Sequence, residues 1–466
     1  MQLFEGFIFI ILIVLMFLVF KFDHTKKRDI LFVGGLLLVS LLIQTLAVQI
    51  KWQLYPVYVG ALVLLTMTYL KTFKRVNINK VVRRTLIAFL SVLVFLSMLA
   101  VVALPMYDVP KPNGSYKIGT ESFIITDDSR VELYDDENEN RRFAIQMWYP
   151  AETTKGFKQV PWIKDGVLVS RGLARDIGLP FFMLDHTAEI MSNAYEKAPI
   201  NTLKDKYPVI VLSHGWRGFR NLHLDYAESL ASEGYIVVSI DHTYGSVATL
   251  FGKNDVAYLN LDALPPSEDK ATFLAGARKL VNTYAGDITK TLDYLEEMNL
   301  SSDSRFKGKM DFSKVGLLGH STGGGADVTA ALSDDRISAV IGLDAWVEPV
   351  DQNNINQGLD IPSLFIRSSS WAKTPNNINL YATVEKSNST AILYQIDGTT
   401  HYDFAMVYMY SPLTKLNGFS GSVNNRYLVK ILNQMILDFF DETLVKKTNN
   451  KIDISQYDIV KVILEK

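Results

Sequence analysis

Four long stretches of this chain are almost free of charge, and all of them lie in its first 105 residues. They are Leu3–Phe20, Ile30–Ile50, Leu54–Leu70 and Thr85–Leu104, and Glu5 is the one Asp, Glu, Lys, Arg or His among them. Each approaches the ~20 residues that a helix needs to cross a ~30 Å hydrocarbon layer. Four such runs in succession are more apolar surface than a soluble domain can bury, so residues 1–105 are expected to form a four-helix transmembrane anchor. Tyr55, Tyr58 and Tyr69 stand near the ends of the third run, where aromatic rings settle at a membrane interface.

The loops give an orientation. Lys21, Lys26, Lys27 and Arg28 follow the first run, and Lys51 alone follows the second. Lys71, Lys74, Arg75, Lys80, Arg83 and Arg84 follow the third. Positive loops stay in the cytoplasm. The N-terminus and everything beyond Leu104 are therefore expected outside, in a multi-pass protein of the cell membrane. The first run has its positive charge after it and none before it, the reverse of a secretory signal peptide. Only Gln44, Gln49 and the Gly34-Gly35 pair interrupt the runs, which favours a plain anchor over a transport pathway.

Beyond the runs the character changes. Residues 1–105 carry a net charge of +8 and residues 106–466 a net of -10. An acidic larger part repels phosphate and argues against nucleic acid as a partner. The chain has no cysteine, so disulfides, thiolate metal sites and a cysteine nucleophile are excluded. Residues 106–115, with Pro110, Pro112 and Gly114, read as a linker. From 116 to about 445 short apolar runs alternate with amphipathic stretches. Ser122–Thr126 and Phe143–Tyr149 are two early strands around an acidic, solvated turn at Glu132–Asn140. Tyr207–Ser213, Tyr235–Asp241, Val315–Gly319, Ile337–Leu343, Ser363–Ile366 and Ala391–Ile396 follow without polar alternation, as strands buried on both faces of a parallel sheet must. Helical patterns at 222–232, 271–298, 324–332 and 426–440 lie between or after them. The expected fold class is α/β, a doubly wound, mostly parallel sheet, with ligands at the carboxyl ends of its strands. Residues 155–200 break the alternation and are a candidate cap; residues 446–466 read as a C-terminal extension.

Gly319-His320-Ser321-Thr322-Gly323 fits G-x-S-x-G directly between a strand and a small-residue helix. That is the setting of a nucleophile elbow. A serine hydroxyl needs a base. In the α/β-hydrolase order Ser, acid, His, His401 is the one histidine after the elbow. The acid must lie between them at a strand end, and Asp344 in Leu343-Asp344-Ala345-Trp346 fits; Glu348, Asp351, Asp360 and Asp397 are worse placed. The next strand runs into Ser368-Ser369-Ser370-Trp371, without a carboxylate. The oxyanion donors are expected to be the backbone N–H groups of Thr322, after the nucleophile, and Trp216, in the loop His214-Gly215-Trp216. His214 itself is expected to be a buried brace of that loop. No metal site and no cofactor are expected.

At these residues the outer part resembles the platelet-activating factor acetylhydrolase family, in its plasma and type II branch. The matching stretches are YPVIVLSHGWRGFR (207–220), LASEGYIVVSIDHTYGS (230–246), GHSTGGG at the elbow, IGLDAW (341–346) and the turn ending at His401. The likeness runs over roughly 116–440. It implies an α/β-hydrolase with Ser321 as nucleophile, Asp344 as acid, His401 as base, and Trp216 and Thr322 as oxyanion donors. It also implies calcium-independent hydrolysis of short or oxidised acyl chains from phospholipid-like esters. GHSxGGG occurs in polyester-cleaving hydrolases too. Those usually place the acid after the seventh strand, where this chain has only serines. The expectation is thus a membrane-anchored serine esterase for a small ester or lipid substrate. A serine acyltransferase, a polyesterase or other carboxylesterase, a peptidase and a non-catalytic membrane-tethered binding domain stay open, as does the oligomeric state.

Overall fold

The computed structural model describes residues 3–20, 27–48, 51–74, 76, 78–135, 138–446 and 452–466. Lys21, Lys26, Gln49 and Arg75 lie outside the described residues. The chain forms two compact units, Met1–Tyr107 and Asp108–Lys466.

The first unit holds helices α1 (Leu3–Phe20), α2 (Lys27–Ile43), α3 (Tyr55–Thr72) and α4 (Lys80–Ala103). Three helical stretches, Lys27–Leu46, Trp52–Thr72 and Lys80–Ala103, are long and apolar enough to cross a membrane; Phe4–Phe20 is apolar but shorter. Leu12, Leu15, Val57, Ala61, Leu64 and Leu90 are wholly buried between the helices, while Leu62, Phe95 and Val102 point outward. That inversion suits an apolar surrounding, in which outward apolar side chains cost nothing. Some polar groups inside the bundle are matched. Ser97 on α4 accepts the N–H of Val57 at 3.2 Å, a first-turn donor with no partner in its own helix. Lys51, which the sequence presents as a loop charge, is buried against the carboxylate of Glu5.

The second unit is built on a sheet. In chain order its strands are β1 (Lys117–Val131), β2 (Asn140–Ala151), β3 (Gln159–Pro161), β4 (Met191–Glu196), β5 (Tyr207–Ser213), β6 (Ile236–Asp241), β7 (Ala248–Gly252), β8 (Asp255–Tyr258), β9 (Met310–His320), β10 (Ile337–Leu343), β11 (Ser363–Ser368), β12 (Ala391–Ile396) and β13 (Val460–Glu465). Its helices are α5 (Val167–Asp176), α6 (Leu224–Glu233), α7 (Lys270–Leu300), α8 (Thr322–Ala331), α9 (Gln352–Gln357), α10 (Asn376–Lys386) and α11 (Asn425–Phe440). Among the described residues, eleven strands join in the order β13-β12-β11-β10-β9-β5-β6-β2-β1-β4-β3, and β7-β8 form a separate hairpin. From β6 to β12 all pairings are parallel, and β5, β6 and β11 are buried along their whole length. The uninterrupted Val/Ile/Leu runs therefore meet helices on both faces. This is the mixed, mostly parallel sheet of an α/β-hydrolase.

Three segments differ from the sequence expectation. Residues 155–200 are not all excursion: β4 pairs with β1 and β3 with β4, so the stretch widens the sheet before and after α5. Val460–Glu465, expected in an extension, pairs antiparallel with β12. The acidic turn is not simply solvated. Glu132 is buried and accepts from the guanidinium of Arg141 at 2.9 Å, and Arg141 also forks onto Asp287 of α7. A run of charge in the sequence hides such a partner nine residues away and another on a distant helix.

Candidate active site

The chain leaves β5 for β6 on one side and returns to β9 on the other, so the order of the sheet reverses between β5 and β9. Loops at such a switch point diverge and leave a crevice. Register brings the strand ends level: Ser213 lies beside Gly319, and Leu343 beside both His320 and Ile366.

Ser321 sits at the turn from β9 into α8 with φ 55° and ψ -119°. A non-glycine residue held there is strained. The strain is fixed by backbone bonds on both sides: its N–H donates to Leu343 O at 3.0 Å and its carbonyl accepts from Trp346 at 2.8 Å. The turn also demands close approach. A Cβ on Gly323 would fall 2.2 Å from Ser213 O, and one on Gly215 would fall 2.8 Å from Cβ of Ser321.

Asp344 follows β10, likewise at positive φ, 42°. Its buried carboxylate accepts from His401 Nδ1 at 3.0 Å. Ser368, at the end of β11, adds two further donors, N–H to Oδ1 and Oγ–H to Oδ2, both at 2.7 Å. His401 lies in the turn after β12, and its backbone N–H donates to Ser370 Oγ at 3.0 Å. His320, the residue before Ser321, donates Nε2–H to His401 O at 3.0 Å, with the two rings 4.5 Å apart. Burial, with His401 and His223 nearby, pushes the His320 pKa well below its ordinary value, so it stays neutral beside His401. The four alternative acids are engaged elsewhere: Glu348 with Lys270, Asp351 at the start of α9, Asp360 with Asn388, and Asp397 with Lys461 of β13.

On the β5 side, Trp216 N–H points to Thr322 Oγ1 at 3.3 Å, which sets this amide beside the first residue of α8. His214 explains why. It is fully buried, and its Nε2 faces Ser246 Oγ at 2.7 Å and the His242 N–H at 3.3 Å, so that nitrogen is an acceptor. Its Nδ1 then carries the proton and donates to Gly215 O at 2.7 Å. A trans peptide is planar, with C=O and N–H opposed. Holding the Gly215 carbonyl toward His214 therefore turns the Trp216 N–H the other way, toward α8. Burial also lowers the His214 pKa well below normal, preserving the neutral tautomer that this arrangement needs.

The structure thus joins Asp344 to His401 directly, sets His320 against His401, and puts Trp216 beside Thr322. The bracing groups Ser368, Ser370, Ser246 and His242 come from turns far apart in the chain and leave no local signature. The signal for His214 was its place in the loop.

Residues 101–460 match the family described as platelet-activating factor acetylhydrolase, isoform II. The chain belongs to that family. Among its relatives, the platelet-activating factor acetylhydrolase of Canis lupus familiaris is 24% identical over 389 residues, 78% of this chain and 82% of that one. The protein of the same name from Gallus gallus is 24% identical over 380 residues, 73% of this chain and 85% of that one. A ferulic acid esterase from Streptomyces cinnamoneus superposes with a TM-score of 0.63 at 20% identity, over 77% of this chain and 99% of the other. That likeness speaks for the fold. Family membership makes this chain an enzyme of the serine ester hydrolase class.

Proposed function

We propose that the chain is a membrane-anchored serine esterase that cleaves short-acyl, phospholipid-like esters through Ser321, His401 and Asp344. The observation that carries the reading is the 3.0 Å contact between His401 Nδ1 and a buried Asp344, beside a serine held at positive φ at the switch point of the sheet.

In this reading His401 takes the proton of Ser321 as the hydroxyl attacks the ester carbonyl. Asp344 fixes the tautomer with Nδ1 protonated and offsets the charge on the imidazolium. The tetrahedral oxyanion receives the N–H groups of Trp216 and Thr322, oriented before the reaction and so free of reorganisation cost. His401 returns its proton to the leaving alkoxide, and the acyl group remains on Ser321. Water, deprotonated by the same imidazole, then releases the acid. The apolar helices of the first unit support a membrane anchor, and the distribution of basic loops supports an external catalytic unit. A site tethered at a lipid surface suits amphiphilic esters; the names of the relatives support an acetyl-bearing phospholipid.

The test uses the full-length protein in detergent. A fluorophosphonate probe should label the wild type and not Ser321→Ala. A series of p-nitrophenyl esters and 2-acyl phospholipids should show kcat/KM highest for short acyl chains. Labelling retained in Ser321→Ala would remove the serine reading. Product formed only with an added alcohol acceptor would turn the assignment to an acyltransferase.

A further inference from the structure

The turn Ser368-Ser369-Ser370-Trp371 carries no carboxylate, and two of its serines are accounted for by Asp344 and by the His401 backbone. Its last residue is not. The Trp371 indole lies flat against the His401 imidazole, ring centroids 4.2 Å apart and planes within 5°. Another ring neighbour, His320, sits 4.5 Å away at 33°. The backbone that carries the indole is held firmly. Trp371 N–H donates to Ser368 Oγ at 3.3 Å, and its carbonyl accepts from Asn377 Nδ2 at 2.7 Å and Thr374 Oγ1 at 3.0 Å. The hydroxyl that donates to Asp344 thus also anchors the turn that bears the indole.

We infer that Trp371 is a positioning residue, whose indole face holds the His401 ring in the plane of Asp344 and stabilises its protonated form. A parallel stack at this distance favours a cation over the face of the indole. The imidazolium exists during acylation and again during deacylation, so the contact strengthens as the reaction proceeds. Other groups around the ring set its charge as well: Asp344 at Nδ1, neutral His320 with its ring 4.5 Å away, His223 5.2 Å from His320, and Tyr402 edge-on to the imidazole. Asp403 of the same turn is occupied by the N–H groups of Thr400 and Gly421. Trp371 is the one with an extended π face parallel to the imidazole.

The inference rests on His401 being the base, and the experiment separates the two. The full-length enzyme in detergent is assayed for kcat/KM on a p-nitrophenyl ester, and for the rate of fluorophosphonate labelling, across pH 5–9. Trp371→Leu removes the π face at similar bulk. Losing it disfavours the cation, so the acid limb of both profiles should move to lower pH by about half a unit, and kcat should fall several-fold. Trp371→Phe keeps a weaker face and should move the limb less, in the same direction. An acid limb that stays in place in Trp371→Leu overturns the inference, whatever happens to the rate. Where Trp371→Leu does not fold, an unmoved limb in Trp371→Phe does the same. Ser321→Ala is the separate control on the serine reading; if it still labels, that reading fails and this inference falls with it.

Discussion

At the scale of single residues, the site is a set of close approaches. Gly215 faces Ser321 so closely that an added Cβ would sit 2.8 Å from Cβ of the serine. Gly215→Ala should displace either the loop or Ser321 by several tenths of an ångström and lower kcat by about 10- to 100-fold, with thermal melting little changed. Ser368→Ala removes the hydroxyl donor to Asp344 Oδ2 but leaves the backbone donor to Oδ1. A bond to a buried carboxylate is worth ~1.5–3 kcal/mol, so kcat/KM should fall at least about tenfold. Stability also has a residue-scale lever. Burial pushes the Asp225 carboxyl up to about 7, against an ordinary value near 4. Between those two pH values the unfolded chain loses its proton and the folded chain keeps it, so stability is greatest below the window and falls as pH rises through it. Asp225→Asn should flatten the loss of melting temperature between pH 4 and 7. Of the site, the sequence made legible what chain order and a motif can carry: Ser321, Asp344 and His401 were nameable, and the structure sets the last two in contact. The stack of Trp371 on His401 and the grip of His214 on Gly215 were not legible, because an angle between two rings and the direction of a carbonyl have no pattern in one dimension.

Among elements, the strands that read most clearly are the ones buried on both faces. Tyr207–Ser213, Ile337–Leu343 and Ala391–Ile396 coincide with β5, β10 and β12. Two-sided burial imposes an unbroken apolar run, and nothing else in a soluble domain writes one so short. Strands at or next to an edge follow weaker rules. β3, β4 and β13 mix polar and apolar residues because one face or one edge meets water, and so they looked like loop or tail. β13 nonetheless covers the edge of β12 and supplies Lys461 to Asp397, ahead of the His401 turn. Deleting 458–466 should expose that edge, lower the melting temperature by several degrees and promote self-association, readable by scanning fluorimetry and light scattering. Ester hydrolysis should fall with it, since the turn bearing His401 starts from the uncovered strand.

For the molecule as a whole, the charge division between residues 1–105 and 106–466 makes a prediction about sidedness. The chain has no cysteine, so single ones can be introduced on a silent background. Asn417→Cys lies on the exposed surface of the catalytic unit and Val76→Cys in the basic loop between α3 and α4. An impermeant maleimide added to intact cells should label the first and spare the second; the reverse pattern would invert the topology. The placement of β13 carries a further consequence for how such a protein comes into being. The ribosome finishes the helices first and the sheet last, so the turn that bears the imidazole is extruded well before the strand that seals its neighbour. Until that strand arrives, β12 has an unsealed flank just ahead of the turn that bears His401. Synthesis order alone thus leaves closure of this side of the sheet to a strand far along the chain from its neighbour.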